Sequence, residues 1–344
     1  MGIHGGDIYR NHVKLDFSVN VNPLGTPACV KEALHRAVED CGRYPDMEAA
    51  RLRAAVSSAL AVPAEYLLFG NGASELFMAI VHGLKPKKVV IPVPSFYGYE
   101  YAARAADSEM VFYRMKPEDS FCLSYHMTKR LEKILTDEVD LLFLANPNNP
   151  VGNLLDKKTI CELLRHCQER GIYVVLDECF IEFCGQRHSM LSALETSGTA
   201  DHLILVQAYT KIFAVAGVRL GYLICKNRYL RMKIARQLPE WNLSCFAQTA
   251  GVVCAGQTAF LLETETYIKT ERKFLEEGLR QKGLQVFLSE ANFLMVYSDG
   301  DLYEKLLAKG ILIRDCSNFR GLGKGFYRIA VKSREENEIL LRNL

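Results

Sequence analysis

Short apolar runs alternate with helix-period segments from about residue 46 to residue 225, and this alternation constrains the fold more than any other feature of the chain. In the segment Lys157–Arg170, for example, the apolar residues recur at the spacing of one helix face. Such alternation predicts an open, mostly parallel α/β sheet with helices on both faces. The predicted strands are Tyr66–Phe69, Lys88–Pro92, Met110–Arg114, Asp140–Ala145, Ile172–Asp177, His202–Ala208 and Arg219–Cys225.

The pattern changes after about residue 245. A long charged helix, Glu263–Lys282, comes first, and short predicted strands follow it. These strands are Leu284–Leu288, Phe293–Tyr297, Ile311–Asp315 and Tyr327–Lys332. We therefore predict a large domain over residues 30–240, and a smaller α+β domain over residues 241–344 accompanied by an N-terminal arm, residues 1–29.

Composition and charge argue against several classes of partner. The net charge is +2, and no cluster of basic and aromatic residues predicts nucleic-acid binding. No apolar run has the length of a membrane span, and the first residues lack the order of a signal peptide. The 11 cysteines include no CxxC pair, which favours reduced thiols in a cytoplasmic protein over a disulfide framework or a metal site.

Polar residues follow the predicted strands at their carboxyl ends, where open parallel sheets bind ligands. The segment Gly70-Asn-Gly-Ala-Ser-Glu75 begins a helix whose free amides suit a phosphate, although an ordinary turn with an N-cap has the same pattern. Asp177 comes at the end of a predicted strand, although an aspartate in that position usually just caps the helix that follows. Lys211 follows another strand with Arg219 close behind, although a lone loop lysine is usually solvated.

Taken together, these residues match what pyridoxal 5′-phosphate requires of a protein. Lys211 would attach the cofactor through its amine, and Asp177 would hold a proton on the pyridine nitrogen. Arg219 and the helix N-terminus would neutralise the phosphate. Each feature alone has an ordinary explanation, such as a turn, a helix cap or a solvated lysine. These separate explanations account less well for the occurrence of all of them in one chain.

The motifs around these residues resemble those of fold-type I pyridoxal-phosphate enzymes, in the order found in the histidinol-phosphate aminotransferase group. They are Asn146-Pro-Asn-Asn-Pro-Val-Gly152, Leu176-Asp-Glu-Cys-Phe180 and Thr210-Lys211 followed by Gly217-Val-Arg-Leu-Gly-Tyr222. The resemblance implies that Tyr44 reaches the cofactor of the partner subunit in a homodimer with shared active sites, and that Phe96 stacks on the pyridine ring. The implied cofactor-binding residues are Tyr44, Gly72, Ala73, Ser74, Phe96, Asn149, Asp177, Phe180, Thr210, Lys211 and Arg219, with Lys211 and Asp177 catalytic and no metal.

Within that group the chain most resembles the threonine-phosphate decarboxylases of cobalamin synthesis, over nearly its whole length. The resemblance rests on the segments His4–Gly25 and Ile311–Lys332. It implies decarboxylation of O-phospho-L-threonine or O-phospho-L-serine to an amino-alcohol phosphate. The implied substrate-binding residues are His4, Gly5, Asn20, Asn149, Arg314 and Arg328, and their arginines, imidazole and amides suit a substrate with several negative charges.

Two positions and the short segment between Gly6 and Leu15 depart from the family pattern, and Phe180 bears on which activity the chain has. Ala208 stands where a serine usually contacts the cofactor phosphate, and Val151 replaces a common threonine. Phe180 replaces a tyrosine that aminotransferases of this group commonly have, which favours the decarboxylase. The alternatives are an aminotransferase acting on histidinol phosphate and a degenerate, non-enzymatic binding protein with the same fold. Only Ala208 supports the degenerate protein, and the retained lysine, aspartate and arginine argue against it.

Overall fold

A computed structural model describes residues 5–196 and 198–344. The strands in this part of the chain are β1 (Leu15–Asp16), β2 (Leu67–Asn71), β3 (Lys88–Val93), β4 (Glu109–Arg114), β5 (Leu141–Ala145), β6 (Tyr173–Asp177), β7 (Leu203–Ala208), β8 (Leu220–Ile224), β9 (Gln285–Val286), β10 (Phe293–Tyr297), β11 (Ile311–Leu312), β12 (Arg314–Asp315) and β13 (Phe326–Ala330). The α-helices are α1 (Ala28–Ala37), α2 (Ala50–Leu60), α3 (Ala73–Leu84), α4 (Tyr97–Ala105), α5 (Tyr125–Glu132), α6 (Lys157–Glu169), α7 (Ala193–Thr196), α8 (Tyr209–Ile212), α9 (Arg228–Ala235), α10 (Cys245–Ala255), α11 (Thr258–Gln281), α12 (Leu302–Leu307) and α13 (Arg334–Asn343).

The large sheet has seven strands in the order β2-β8-β7-β6-β5-β3-β4. The pairs β4-β3, β3-β5, β5-β6 and β6-β7 are parallel, whereas β8 pairs antiparallel with both β7 and β2. Every residue of β5, β7 and β8 is buried. Alternate residues of these strands belong to two apolar cores, one on each face of the sheet. The prediction of a mostly parallel α/β sheet is therefore confirmed.

Most predicted strand ends agree with the structure to within one residue, and the clearest correction concerns β2. The sequence predicts that this strand ends at Phe69, but it continues to Asn71. Gly70 and Asn71 extend the strand because they pair with Gly221 and with the first residue of β8. The phosphate-type turn therefore begins at Gly72, directly before α3.

A smaller antiparallel sheet, in the order β12-β13-β10-β9, lies in the C-terminal part of the chain. The predicted single strand Ile311–Asp315 is wrong, because β11 pairs in parallel with β1 whereas β12 pairs with β13. Helix α11 begins at Thr258, five residues before its predicted start, and Phe260 in its first turn stacks on Phe213. The division into a large domain and a small domain stays a prediction.

To cross a membrane, a helix within the described residues would need both sufficient length and sufficient apolarity. Among those residues no single helix meets both requirements, and only α10 taken together with α11, across a bend of 79°, satisfies them by length and composition.

Candidate active site

A cavity of about 220 Å³ opens at the carboxyl ends of β5, β6 and β7, where a parallel sheet is expected to bind its ligand. It brings together most of the residues that the sequence singled out. Those that line it are Gly5, Asn20, Ala73, Ser74, Phe96, Asn149, Asp177, Phe180, Thr210, Lys211, Arg219, Arg314 and Arg328.

Lys211 lies on α8, the single helical turn that follows β7 directly. Burial, together with the nearby positive charges of Arg328 and Arg219, lowers the pKa of its amine to about 8. An amine of this kind is a substantial fraction neutral near physiological pH. Lys211 is therefore suited both to nucleophilic attachment of an aldehyde and to proton transfer.

Asp177, the last residue of β6, holds its carboxylate on the cavity wall. Its Oδ1 accepts a hydrogen bond of 2.9 Å from the backbone N–H of Cys179, and its Oδ2 accepts one from the hydroxyl of Tyr99. Burial raises the pKa of Asp177, and these two donors oppose that rise by favouring the ionised form. The carboxylate is thus fixed in orientation from both sides.

Tyr99 was missed by the sequence reasoning, although a signal was present. It lies three residues after Phe96, at the start of α4, and a spacing of three places two side chains on one helix face. Its ring is fully buried, stacks on Phe143 at 5.1 Å and contacts the edge of Phe96 at 5.7 Å. One buried phenol therefore supports both the carboxylate of Asp177 and the ring of Phe96.

The part of the cavity lined by Ala73, Ser74 and Arg219 has the features of an anion cradle. Gly72 has φ +79°, and a Cβ added there would meet the guanidinium of Arg219. The next residue begins α3, so the free amides of Ala73 and Ser74 and the positive end of the helix dipole lie beside that guanidinium. Arg219 itself has a left-handed backbone, φ +62°, a strained conformation that is concentrated at functional sites.

Arg314 and Arg328 are direct partners across the antiparallel pair β12-β13, and both are buried. Arg328 donates to Oδ1 of Asn149 and, at 2.8 Å, to the carbonyl oxygen of Ser18. Its Nε has no hydrogen-bond partner within the described residues, and the same is true of Oδ1 of Asn20. Burial lowers the pKa of Arg328 to about 10, with Arg314 contributing in the same direction. Two like charges in direct register repel each other, and a bound anion would relieve that repulsion.

Three further residues from the sequence prediction differ in where they stand. Tyr44 is 82% exposed and contacts the ring of Trp241 at 5.0 Å, away from the cavity of its own chain. His4 lies outside the described residues. Ala208 lines the cavity with a methyl group where the family pattern has a hydroxyl.

Comparison with known proteins places the chain in a family. The profile of aminotransferase class I and II matches residues 12–344. The chain belongs to that family. It is 33% identical to the threonine-phosphate decarboxylase of Salmonella typhimurium, over 96% of this chain and 90% of the relative. It is 37% identical to a protein of Caldanaerobacter subterraneus provisionally named for the same activity, over 99% of this chain and 92% of the relative.

A solved structure is also similar over nearly the whole length of this family member. The histidinol-phosphate aminotransferase from Clostridium acetobutylicum superposes with a TM-score of 0.88 at 34% identity, covering 96% of this chain and 98% of that structure. The fold is accordingly that of fold-type I enzymes. Both activities named in the sequence interpretation occur among similar proteins, so the choice between them depends on the site.

The lowered pKa of Lys211 predicts a measurable reactivity in the cofactor-free protein. Because only the neutral amine attacks an acylating reagent, competitive labelling with acetic anhydride should modify Lys211 with a midpoint near pH 8. A solvated lysine would have its midpoint near ~10.4. Removing one neighbouring charge, by Arg219→Gln, should shift the midpoint upward. A midpoint for Lys211 above about 10 would contradict the electrostatic description of the site.

Proposed function

We propose that this protein is a pyridoxal-phosphate-dependent decarboxylase of O-phospho-L-threonine, or of the close analogue O-phospho-L-serine. The products would be CO₂ and an amino-alcohol phosphate, as needed for cobalamin synthesis. The observation that carries the proposal is the pair of opposed, buried arginines, Arg314 and Arg328, in the same cavity as Lys211 and Asp177. A substrate that bears both a phosphate and a carboxylate offers anions to both arginines.

The residues present fit pyridoxal phosphate. Lys211 would hold it covalently, Asp177 would pair with its ring nitrogen, and Phe96 would cover the ring. The cradle of Gly72 and Arg219 would take its phosphate. When bound, this cofactor supplies an acceptor for the electron pair that a bond at Cα releases as it breaks.

The protein's own contribution begins with binding and orientation. Arg328, fixed by Asn149 and Ser18, and Arg314 would hold the anionic groups of the substrate. Loss of CO₂ removes the carboxylate from Cα, and Cα must then gain one proton to balance the reaction. Lys211 is the group placed to deliver it from Nζ, because an amine with a pKa of about 8 exchanges protons readily near neutral pH.

Asp177 would contribute by remaining ionised at a fixed position. Burial favours its neutral form, whereas the donors on Tyr99 and Cys179 favour the carboxylate. A positively charged group bound against the free side of the carboxylate would further favour its ionised form. Asp177 and Tyr99 therefore act as one unit that stabilises positive charge at the inner end of the cavity.

An aminotransferase acting on histidinol phosphate is the second candidate, and the similarity to the Clostridium acetobutylicum structure favours it. Histidinol phosphate has no carboxylate, however, so it offers one anion to two buried arginines. Phe180 also lines the cavity without the phenol that many aminotransferases of this group have. The missing phenol and the single anion of histidinol phosphate favour the decarboxylase, whereas 2-oxoglutarate, the second substrate of such an aminotransferase, would itself bring two carboxylates to the arginine pair.

We further propose a cytoplasmic homodimer with shared active sites. The exposed rings of Tyr44 and Trp241 contact each other at 5.0 Å and present an apolar surface that a second copy of the chain could cover. A second copy of the chain covering this surface would bring Tyr44 to the cofactor phosphate of its partner, as the family resemblance implies.

The proposal predicts a substrate profile. Purified protein reconstituted with pyridoxal phosphate should release CO₂ from O-phospho-L-threonine, with little transfer of the amino group to 2-oxoglutarate. L-Threonine, which lacks the phosphate, is the matched control and should react at least ~100-fold more slowly, because one buried arginine would lose its anion. A contrary result would be a protein that forms glutamate from histidinol phosphate and 2-oxoglutarate and releases no CO₂ from any phosphorylated amino acid. That result would show that the decarboxylase proposal is wrong and that the protein is an aminotransferase.

A further inference from the structure

A buried carboxylate outside the reaction site, that of Glu100 on α4, is held by two arginines. Arg320 donates to both of its oxygens, from Nε at 2.9 Å to Oε2 and from a terminal nitrogen at 2.8 Å to Oε1. Arg104, one helical turn away, adds a hydrogen bond of 2.6 Å to Oε1. Glu100 is only 7% exposed, whereas the side chain of Arg320 is 43% exposed, so this is a fork-shaped pair in which a buried carboxylate is held by a partly exposed guanidinium.

Arg320 comes from a distant part of the chain. It lies in the 316–325 segment, which joins β12 to β13, whereas Glu100 follows β3 in the large sheet. The guanidinium of Arg320 also lies 4.1 Å from the ring centroid of Phe112, on β4. The middle of the 316–325 segment is therefore attached to the large sheet by an ion pair and a ring contact.

The same segment contacts Arg314. The side chain of Arg314 donates to Oδ1 of Asn318 at 2.7 Å, and its guanidinium lies 5.1 Å from the ring centroid of Phe319. Asn318 and Phe319 directly precede Arg320 in the sequence. A continuous series of contacts thus runs from Glu100 through the 316–325 segment to Arg314.

The segment also separates two cavities. An outer cavity of about 420 Å³ is lined by Glu100, Arg104 and Arg320, and it shares Phe96, Arg314 and Phe319 with the cavity of Lys211. Movement of Phe319 would therefore change the shape of both cavities at once. Contacts that fix Phe319 also fix the wall between them.

We propose that Glu100 is a positioning residue for Arg314. By holding Arg320, Glu100 fixes the 316–325 segment, and with it Asn318 and Phe319, so that the guanidinium of Arg314 is preorganised to bind an anionic substrate group. This inference rests on the proposed function in one respect, the assignment of Arg314 to the substrate. Glu100 touches neither Lys211 nor Asp177 in the described structure, so its contribution is to substrate affinity rather than to the bond-breaking step.

The chain offers a closely matched control, the pair of Glu271 and Arg334. Glu271 is 5% exposed, and Arg334 donates to both of its oxygens at 2.8 to 3.1 Å. The guanidinium of Arg334 lies 3.8 Å from the ring centroid of Phe274, which reproduces the ring contact of Arg320. This pair joins α11 to α13 and lines neither of the two cavities.

We expect Glu100→Gln to raise KM for O-phospho-L-threonine about tenfold, with kcat changed less than about threefold. Glu271→Gln should leave both constants within about twofold of the wild type. Arg320→Gln should reproduce the effect of Glu100→Gln, and the double variant should be no worse than either single variant, because both substitutions break the same contact. Equal changes in KM for Glu100→Gln and Glu271→Gln, or additive effects in the double variant, would overturn the proposal.

Hydrogen exchange of the holoenzyme without substrate separates this inference from the proposed reaction. The amides of the 316–325 segment should exchange about tenfold faster in Glu100→Gln than in the wild type and in Glu271→Gln. Unchanged exchange there would overturn the attachment of the segment, whatever the reaction. If histidinol phosphate is the substrate that reacts, the Glu100→Gln and Glu271→Gln variants are compared by their KM for histidinol phosphate instead of their KM for O-phospho-L-threonine. The proposed function then fails, while the positioning role stands or falls by the same comparison.

Discussion

Replacing Lys211 by alanine should lower kcat/KM by roughly 10⁴-fold or more, because the variant loses the amine that we propose attaches the cofactor and moves the proton at Cα. The same substitution should leave the cofactor-free protein at least as stable as the wild type. The pKa of Lys211 is lowered to about 8 in the folded chain, so at pH 7 the protein carries a charged amine in an unfavourable site beside Arg219 and Arg328. That cost is fully present below pH 8 and falls as pH rises toward the pKa of an unfolded lysine, ~10.4.

Activity and thermal midpoint of the cofactor-free protein are the two measurements. Lys273→Ala is the control, because that side chain is 79% exposed on α11 and should change neither quantity. Borohydride reduction of the reconstituted wild type should attach the cofactor to Lys211, as found by peptide mapping. Labelling of a different lysine, or a Lys211→Ala protein that keeps more than about a hundredth of the activity, would show that the assignment is wrong.

Mixed dimers extend this prediction to the shared site. Lys211→Ala chains lack the amine, whereas Tyr44→Ala chains lack the residue that we expect to reach the partner's phosphate site. When the two are mixed and allowed to exchange subunits, one site of each mixed dimer has both groups, and activity should rise above that of either variant alone. No rise despite proven subunit exchange would mean that Tyr44 and Lys211 serve the same site in one chain or that Tyr44 has no part in it.

The sequence was sufficient to predict the large sheet because its central strands are almost wholly apolar and are separated by amphipathic helices. The runs that became β5 and β7 needed no tertiary information, since a continuous apolar stretch of strand length is expected to be buried. The direction of β8 could not be read in this way. A strand buried on both faces has the same pattern whether it pairs in parallel or antiparallel.

The site was predictable where its residues follow strands and unpredictable where they depend on packing between distant segments. The sequence could predict that Asp177 and Lys211 line one cavity, because parallel sheets bind ligands at the carboxyl ends of their strands. The support of Asp177 by Tyr99 required knowing that the hydroxyl of Tyr99, in the first turn of α4, reaches the last residue of β6. The attachment of Arg320 to Glu100 joins residues 220 positions apart, and no local pattern indicates it.

The direct opposition of Arg314 and Arg328 was equally hidden from the sequence. The run Ile311–Asp315 reads as one strand, but the chain changes partner within it, and only its last two residues pair with β13. That change of partner sets the register in which Arg314 faces Arg328. The strongest structural argument for a substrate with two anions therefore depends on an irregularity that apolar periodicity cannot reveal.

Replacing Arg328 by alanine should lower kcat/KM for O-phospho-L-threonine by about 30- to 5,000-fold, equivalent to ~2–5 kcal/mol of lost transition-state stabilisation. The loss has two physical sources. A substrate anion would be left buried without its partner, and the fork that joins Asn149 to the carbonyl of Ser18 would disappear. Arg328→Lys is the matched control, because it keeps the charge but cannot donate to both acceptors in the same plane, so it should recover only part of the activity.

The product distinguishes which arginine holds which anion, because the amino-alcohol phosphate keeps the phosphate and has lost the carboxylate. One of the variants Arg314→Ala and Arg328→Ala removes the arginine that binds the phosphate, and in that variant the dissociation constant of the product should rise strongly. In the other variant it should change little. Both variants should nevertheless lose kcat/KM with the intact substrate, since it offers an anion to each arginine. If one variant retains kcat/KM within about threefold while its fold and cofactor absorbance are intact, only one anion is bound by this pair. The argument that favours a phosphorylated amino acid over histidinol phosphate would then fail.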